Sequence, residues 1–346
     1  MTIPHLHLFM TANSYIQTKL NELKQPLGLL AAEGGRDALV AQIVKLLLSK
    51  KFRKYSAKPE LIEHIWKSVR LHVEKQEPLE FTFFHGAYKL WRLDEAPDPD
   101  WAELFALLHY SNWLKPVCEI YQPGVRFDFF VDDLIVPKLN NVSLDVVTRY
   151  IDSYQKLIDF VHGYQPENMS FTITPVGSLF ASPEAFDESV AKNLEKLTAE
   201  LPGGVPILDE QHLLTVELNV RASDEQKADP QWREKVQRLH DAYMISKAGT
   251  GYTKDRPDKI LTFVSPLPAG MTLSLGTTKD SIMKFWVGVG VLKPDGDGFR
   301  QVIISWRQLQ EAHFTFEDTR IAGLDGKNFQ KIRVLGTAAK ALAPSA

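Results

Sequence analysis

The sequence is poor in cysteine. Cys118 is the single cysteine among 346 residues, which excludes an intramolecular disulfide and a metal site built from cysteines. This usage fits a reducing compartment. Cys118 lies in a helical pattern of apolar residues, between Val117 and Ile120, so we expect a small buried hydrophobic side chain there rather than a nucleophile.

Long hydrophobic runs are also absent. No apolar stretch approaches the roughly 18 residues that a membrane span requires. Residues 1–10 contain two histidines and a proline, and they lack the basic start of a signal peptide. These absences predict a cytoplasmic protein without a membrane-bound segment.

Neither sign of charge is in large excess. The formal net charge is −3, whereas nucleic-acid binding needs a basic face. Apolar residues at 44% and charged residues at 24% are typical of an ordinary globular protein with a sizeable core. Small molecules are therefore the expected partners.

Several common site motifs are missing. No Gly-x-Gly-x-x-Gly follows a predicted strand, and neither a phosphate-binding Walker loop nor a Gly-x-Ser-x-Gly elbow is present. The histidines are scattered, and no pair is spaced for zinc on a helix. The sequence predicts neither a bound cofactor nor a metal.

Hydrophobic periodicity divides the chain into three parts. Two amphipathic helices, at residues 37–51 and from Pro59 onward, open an N-terminal helical segment (residues 1–78). Strands and helices then alternate in an α/β core (residues 79–230), which favours a largely parallel sheet. We expect the strands of this core at residues 79–84, 125–131 and 169–174.

The third part (residues 231–346) begins with a helix and continues as strands. Glycine and proline punctuate four strand-like runs, as in antiparallel hairpins, and we expect this β-rich portion to pack on the core as one compact unit. The predicted strands are residues 260–264, 271–275, 283–292 and 300–306.

Asp132 and Asp133 follow the strand at residues 125–131. Polar residues at strand ends commonly hold ligands in α/β proteins. Such carboxylates bind a divalent cation, orient sugar hydroxyls or act as a general base, but they equally well cap a loop by accepting backbone N–H bonds. Both interpretations stay open at this point.

A cationic loop follows the strand at residues 79–84. Lys89 and Arg92 suit phosphate or carboxylate recognition, and Lys89 is also a candidate for a Schiff base with a ketone. His85 lies in the same loop. A plain surface pair is the competing interpretation of the two cations.

The last candidates lie in the β-rich portion. Lys284 and Trp286 are predicted on one face of the strand at residues 283–292, and Gly288 and Gly290 leave room there for a ligand or another backbone. A tight bend is the competing reason for these glycines. Arg256 precedes the strand at residues 260–264 and adds positive charge.

The order of these features resembles the isocyanide synthase family, the pyoverdine/dityrosine biosynthesis proteins. The resemblance covers roughly residues 80–160, with weaker similarity around Lys284 and Ile304-Ser-Trp306. Its elements are a strand, a loop with a lysine, Asp98-Pro-Asp100 before a helix, Tyr121-Gln-Pro-Gly124 before a strand, Asp132 at that strand's end, and a helix with Arg149-Tyr150.

This resemblance implies a Rossmann-like α/β fold. It also implies a reaction in which the amino group of an amino acid, commonly tyrosine or tryptophan, becomes an isonitrile whose carbon comes from ribulose 5-phosphate. The resemblance implies that Lys89, Asp132 and Asp133 are catalytic, and that the substrates are bound by His85, Arg92, Arg149, Arg256, Lys284 and Trp286. Asp133 stands where the family has glycine, so we expect a changed reaction to be visible there first.

Two other functions compete with this one. In a metal-dependent nucleotide-sugar glycosyltransferase, the two adjacent aspartates would hold a cation against a diphosphate. In a non-catalytic binding protein, exposed aromatic residues would contact a partner. We expect an enzyme of the first kind.

Overall fold

The computed structural model describes residues 10–86, 89, 98–200, 222–264 and 271–336. Arg92 lies outside the described residues. Within these ranges, no helix combines the length and the apolar character needed to cross a membrane.

Three helices form the N-terminal segment. They are α1 (Ala12–Lys24), α2 (Arg36–Leu47) and α3 (Pro59–Lys75). The Thr11 hydroxyl caps α1 by accepting the Ser14 N–H at 3.2 Å, and a proline in the first turn starts α3, where no N–H bond is lost. The N-terminal helices predicted from the periodicity are confirmed.

Five parallel strands among the described residues form the central sheet. They are β1 (Leu79–His85), β2 (Val125–Val131), β3 (Met169–Pro175), β4 (Lys259–Phe263) and β5 (Leu273–Ser274). The spatial order is β3-β2-β1-β4-β5. β2 and β3 therefore lie on one side of β1, and β4 and β5 lie on its other side. This reversal of strand order and the parallel strands confirm the α/β fold and its Rossmann-like character.

The helices between these strands follow local signals in the sequence. Asp100 caps α4 (Trp101–Ile120) in a reciprocal capping box with Glu103, and Ser143 caps α6 (Leu144–His162). The connections also contain α5 (Ile135–Asn140), α7 (Pro183–Glu200), α8 (Asp224–Lys227) and α9 (Trp232–Gly249).

Four phenylalanines of β1 and β2 lie together on one face of the central sheet. Phe81 and Phe83 of β1 lie opposite Phe127 and Phe129 of β2, respectively, and all four rings are fully buried. The rings contact one another at centroid distances of 5.2 to 6.1 Å. This burial requires helices that are apolar nearly all round, as α4 is.

A second sheet follows the first. It contains β6 (Val289–Asp295), β7 (Gly298–Ile304), β8 (Phe314–Asp318) and β9 (Lys331–Leu335) in the order β7-β6-β9-β8. The β6–β7 hairpin and the β8–β9 pair are antiparallel, and β6 pairs with β9 in parallel. The predicted antiparallel hairpin is confirmed for β6 and β7, whereas β8 and β9 were not among the predicted strands. A short helix, α10 (Trp306–Glu311), follows β7.

Two predictions about the C-terminal strands were wrong. The strands near residues 260–264 and 271–275 are β4 and β5, which pair in parallel with the central sheet instead of forming hairpins. Residues 283–288 are not strand. The N–H groups of Val287 and Gly288 both donate to the Lys284 carbonyl at 2.9 Å, which closes a turn. The turn buries Phe285 and Trp286 together, whereas a strand would place them on opposite faces.

Gly290 lets the second sheet approach the start of α4. A Cβ atom at this position would lie 2.3 Å from the Ala102 backbone nitrogen and 2.4 Å from the Trp101 carbonyl carbon. The expectation that a glycine here admits another backbone is therefore confirmed for Gly290. The division of the chain at residues 78 and 230 stays a prediction, and β4 and β5 complete the parallel sheet from beyond residue 230.

We expect Gly290→Ala to destabilise the protein by about 1–3 kcal/mol, because the added methyl group can be accommodated only by moving backbone. Gly298→Ala is the matched control in the same hairpin, since nothing lies within 4 Å of a Cβ there, and its effect should stay within about 0.5 kcal/mol. Urea unfolding measures both. Equal stability of the two variants would contradict this packing.

Candidate functional site

The strand order reverses between β1 and β4, and the carboxyl ends of these strands are where α/β sheets bind ligands. Asp132 follows β2 directly, and its N–H donates to the His85 carbonyl at 3.1 Å. The predicted acidic strand end therefore lies beside the end of β1.

Asp132 is held by one of its two carboxylate oxygens. Its Oδ1 accepts from the Tyr243 hydroxyl and from Lys247 Nζ, the latter at 2.5 Å. Among the described residues, Oδ2 has no hydrogen-bond partner, and the side chain is 27% exposed. This arrangement fixes the carboxylate and leaves one oxygen free for a ligand.

Helix α9 supplies both of these partners. Tyr243 and Lys247 are one turn apart and share a helix face. The Lys247 side chain is 3% exposed, and its ammonium lies 4.5 Å from the Phe130 ring centroid and 5.1 Å from that of Phe84. Sequence reasoning missed this pair. The only available signal was an i, i+4 Tyr–Lys spacing, which is common on helices.

Asp133 has the contacts of a loop-capping residue. Its Oδ1 accepts the Gly177 N–H at 2.9 Å, and burial raises the pKa of its carboxyl group, opposed by backbone hydrogen bonds. Gly177 carries no Cβ, which would otherwise lie 2.7 Å from Asp133 Oδ2. Asp132 and Asp133 therefore have different partners, and the catalytic role predicted for Asp133 stays a prediction.

Lys284 lies in the turn before β6, on the far side of β1 from Asp132. Its Nζ is 5.4 Å from the ring centroid of Phe263, the last residue of β4. Burial lowers the pKa of the Lys284 amine, and the negative charge of Asp132 opposes this shift. Within the described part of the chain, the Lys284 side chain has no hydrogen bond or ion pair.

The rings of Trp286 and His85 pack against each other next to Lys284 and the end of β1. The Trp286 ring centroid is 4.6 Å from that of His85, and its indole covers Gly86, where a Cβ would lie 2.3 Å from Nε1. His85 is the last residue of β1 rather than part of the loop. Its ring stacks on Tyr154 at 5.1 Å, and burial holds its pKa well below the usual value, so it is uncharged.

Lys89 is buried among protein oxygens. Its Nζ donates to the carbonyls of Phe285 at 2.5 Å and Gly288 at 2.9 Å. It also lies 2.8 Å from Glu103 Oε1 and 3.4 Å from Asp100 Oδ1. An ammonium group surrounded in this way is a structural cation, so these contacts do not support the Schiff-base role considered for Lys89.

Glu103 shares this buried cluster. Its Oε1 also accepts from the Tyr150 hydroxyl at 2.9 Å, and its Oε2 accepts the Asp100 N–H at 2.8 Å. Burial raises the pKa of Glu103 to about 7, although the positive charge of Lys89 acts in the opposite direction.

Of the three predicted arginines, the two among the described residues pair with aspartates other than Asp132. Arg149 forms a two-pronged ion pair with Asp98, with N–O distances of 2.9 and 2.6 Å, and it lines an open groove of about 480 Å³. Arg256 pairs in the same way with Asp258 at 2.8 and 2.5 Å. It precedes β4, so it lies toward the amino-terminal edge of the parallel sheet. The substrate-binding roles predicted for both arginines stay predictions.

No family model matches the sequence, and no curated protein matches it either. Among solved structures, the fold is similar to that of the PvcA protein from Pseudomonas aeruginosa, with a TM-score of 0.57. The two chains are 17% identical, and the match covers 86% of this chain and 99% of PvcA. At this identity the similarity establishes a shared fold over nearly the whole of PvcA.

We expect the stability difference between the wild type and Glu103→Gln to depend on pH. Between pH 4.5, the ordinary pKa of this group, and about 7, the unfolded chain loses the Glu103 proton while the folded protein keeps it. The free energy of unfolding of the wild type should therefore fall relative to the variant as pH rises through this window.

Chemical unfolding of both proteins at a series of pH values measures this difference. It should be constant below the window and level off above it. A wild type that instead gains stability relative to the variant across the window would mean that Lys89, not burial, controls the ionisation of Glu103.

Proposed function

We propose that this protein is a biosynthetic enzyme that condenses the amino group of an amino acid with the carbonyl group of a phosphosugar, as the isocyanide synthases do. The observation that carries the proposal is the fixed Asp132 carboxylate, whose second oxygen has no partner among the described residues and lies at the carboxyl ends of the strands. The fold shared with PvcA supports it, as does the sequence resemblance of residues 80–160.

The side chains at this edge suit such a condensation. An amino group attacks a carbonyl only after losing its proton, and the Asp132 Oδ2 atom is placed to accept it. Tyr243 and Lys247 hold the other oxygen of the carboxylate, so the acceptor is oriented before the substrate arrives. Lys284 supplies a cation or an amine on the other side of β1.

The glycosyltransferase hypothesis receives less support. It needs Asp132 and Asp133 to bind one cation, yet their side chains have separate partners, Lys247 and the Gly177 N–H. Among the described residues, no group of three acidic, histidine or cysteine side chains is placed to hold a metal ion. We therefore keep the condensation as the leading proposal.

Incubation of the protein with ribulose 5-phosphate and each amino acid in turn, followed by mass spectrometry, tests the reaction directly. We expect an isonitrile or a closely related condensation product with at least one amino acid. Absence of turnover with every pairing, while the protein is folded, would reject this function. Chelator-sensitive turnover of a sugar nucleotide would favour the glycosyltransferase.

We expect Asp132→Asn to lower kcat/KM of this reaction by about 100-fold or more, because the amide cannot accept the proton. Asp258→Asn is the matched control, since Asp258 also pairs with a cation but precedes β4. This control should keep kcat/KM within a few-fold of the wild type. Equal loss in the two variants would contradict a specific role for Asp132.

A further inference from the structure

Two lysines lie near the ends of β1 and β4, in contrasting environments. Lys89 Nζ is surrounded by two carbonyl and two carboxylate oxygens. It therefore has no free direction in which a substrate could approach. Lys284 has none of these contacts, so the two amines have different chemical uses.

The backbone around Lys284 is fixed, although its amine has no hydrogen-bond partner among the described residues. Its carbonyl oxygen accepts two N–H groups of the turn, from Val287 and Gly288. Lys89 also stabilises this turn, because its Nζ donates to the carbonyls of Phe285 and Gly288. The Lys284 Cα is thus anchored by residues on both sides, while Nζ lies over the Phe263 ring without a hydrogen bond to any described residue.

Burial makes the Lys284 amine easier to deprotonate than an exposed lysine, and the neutral amine is the nucleophilic form. Burial disfavours the ammonium and lowers the pKa of Lys284, whereas the contact of Nζ with the Phe263 ring acts in the opposite direction. The charge of Asp132 limits this shift, but Tyr243 and Lys247 hold that carboxylate by Oδ1. Asp132 is therefore close enough to act electrostatically and is anchored elsewhere.

We propose that Lys284 forms a Schiff base with the carbonyl carbon of a ketose phosphate. The inference deepens the proposed function and rests on it. Lys284 Nζ attacks the carbonyl carbon and a C–N bond forms. The two amine hydrogens then leave with the carbonyl oxygen as water, which gives the C=N bond.

The Schiff base also gives the second substrate a route into the reaction. The amino group of the amino acid adds to the C=N carbon and replaces Nζ, which restores Lys284 as a free amine. No oxidant or reductant is needed for either step. Asp132 Oδ2 accepts a proton that the incoming amino group loses, and the departing Nζ takes up the hydrogens that the amino group gives up, so the exchange balances.

Reductive trapping tests this proposal on the full-length protein. The probes are ribulose 5-phosphate and dihydroxyacetone phosphate, each incubated with the protein and sodium cyanoborohydride, which reduces the C=N bond. We expect a mass gain of one sugar phosphate less one oxygen atom, and peptide mapping should place it on Lys284.

Two variants control the experiment. Lys284→Arg keeps the positive charge but cannot form the adduct, so the mass gain should be lost. Lys293→Arg changes an exposed lysine of β6 and should keep the adduct. Circular dichroism checks that both variants fold. If Lys284→Arg does not fold, the peptide mapping in the wild type alone decides whether the adduct is on Lys284.

The outcomes separate this inference from the proposed function. An adduct on Lys284 supports the Schiff-base inference even if no amino acid gives a product. In that case only the proposed condensation reaction is rejected. A product without a trapped adduct overturns the inference and leaves the proposed function standing. Labelling of other lysines only, or of none with either probe, also overturns it.

Discussion

The buried ammonium of Lys89 is the interaction on which the site depends. It joins the chain segment after β1 to the start of α4 through Asp100 and Glu103, and to the turn before β6 through two carbonyl oxygens. Breaking a buried pair of this kind by removing one partner typically costs about 3–5 kcal/mol, because the other charge stays buried. Lys89 thus connects the two sheets and fixes the turn that carries Lys284.

This arrangement separates structural from reactive groups at one edge of the sheet. Lys89 and Glu103 have their polar atoms committed to protein partners, whereas Asp132 keeps one free oxygen and Lys284 a free amine among the described residues. The two free groups lie on either side of the end of β1, next to the reversal of strand order. The chemistry we propose follows from this placement more than from any single motif.

Local patterns predicted much of the fold but only part of the site. Alternation of apolar residues gave the bounds of β2, and the acidic residues around Asp100 marked the start of α4. The contacts of Asp132 with Tyr243 and Lys247 span 111 and 115 residues of sequence, so no local pattern contains them. The alternation at residues 283–292 was misleading, because the turn there depends on the distant Lys89.

The most direct test of the account is a crystal structure of the protein with ribulose 5-phosphate bound. We expect the sugar phosphate at the carboxyl ends of β1 and β4, with its carbonyl carbon next to Lys284 Nζ and a polar group of the ligand within hydrogen-bond distance of Asp132 Oδ2. A sugar phosphate bound instead in the groove that Arg149 lines, or at the amino-terminal edge near Arg256, would contradict it.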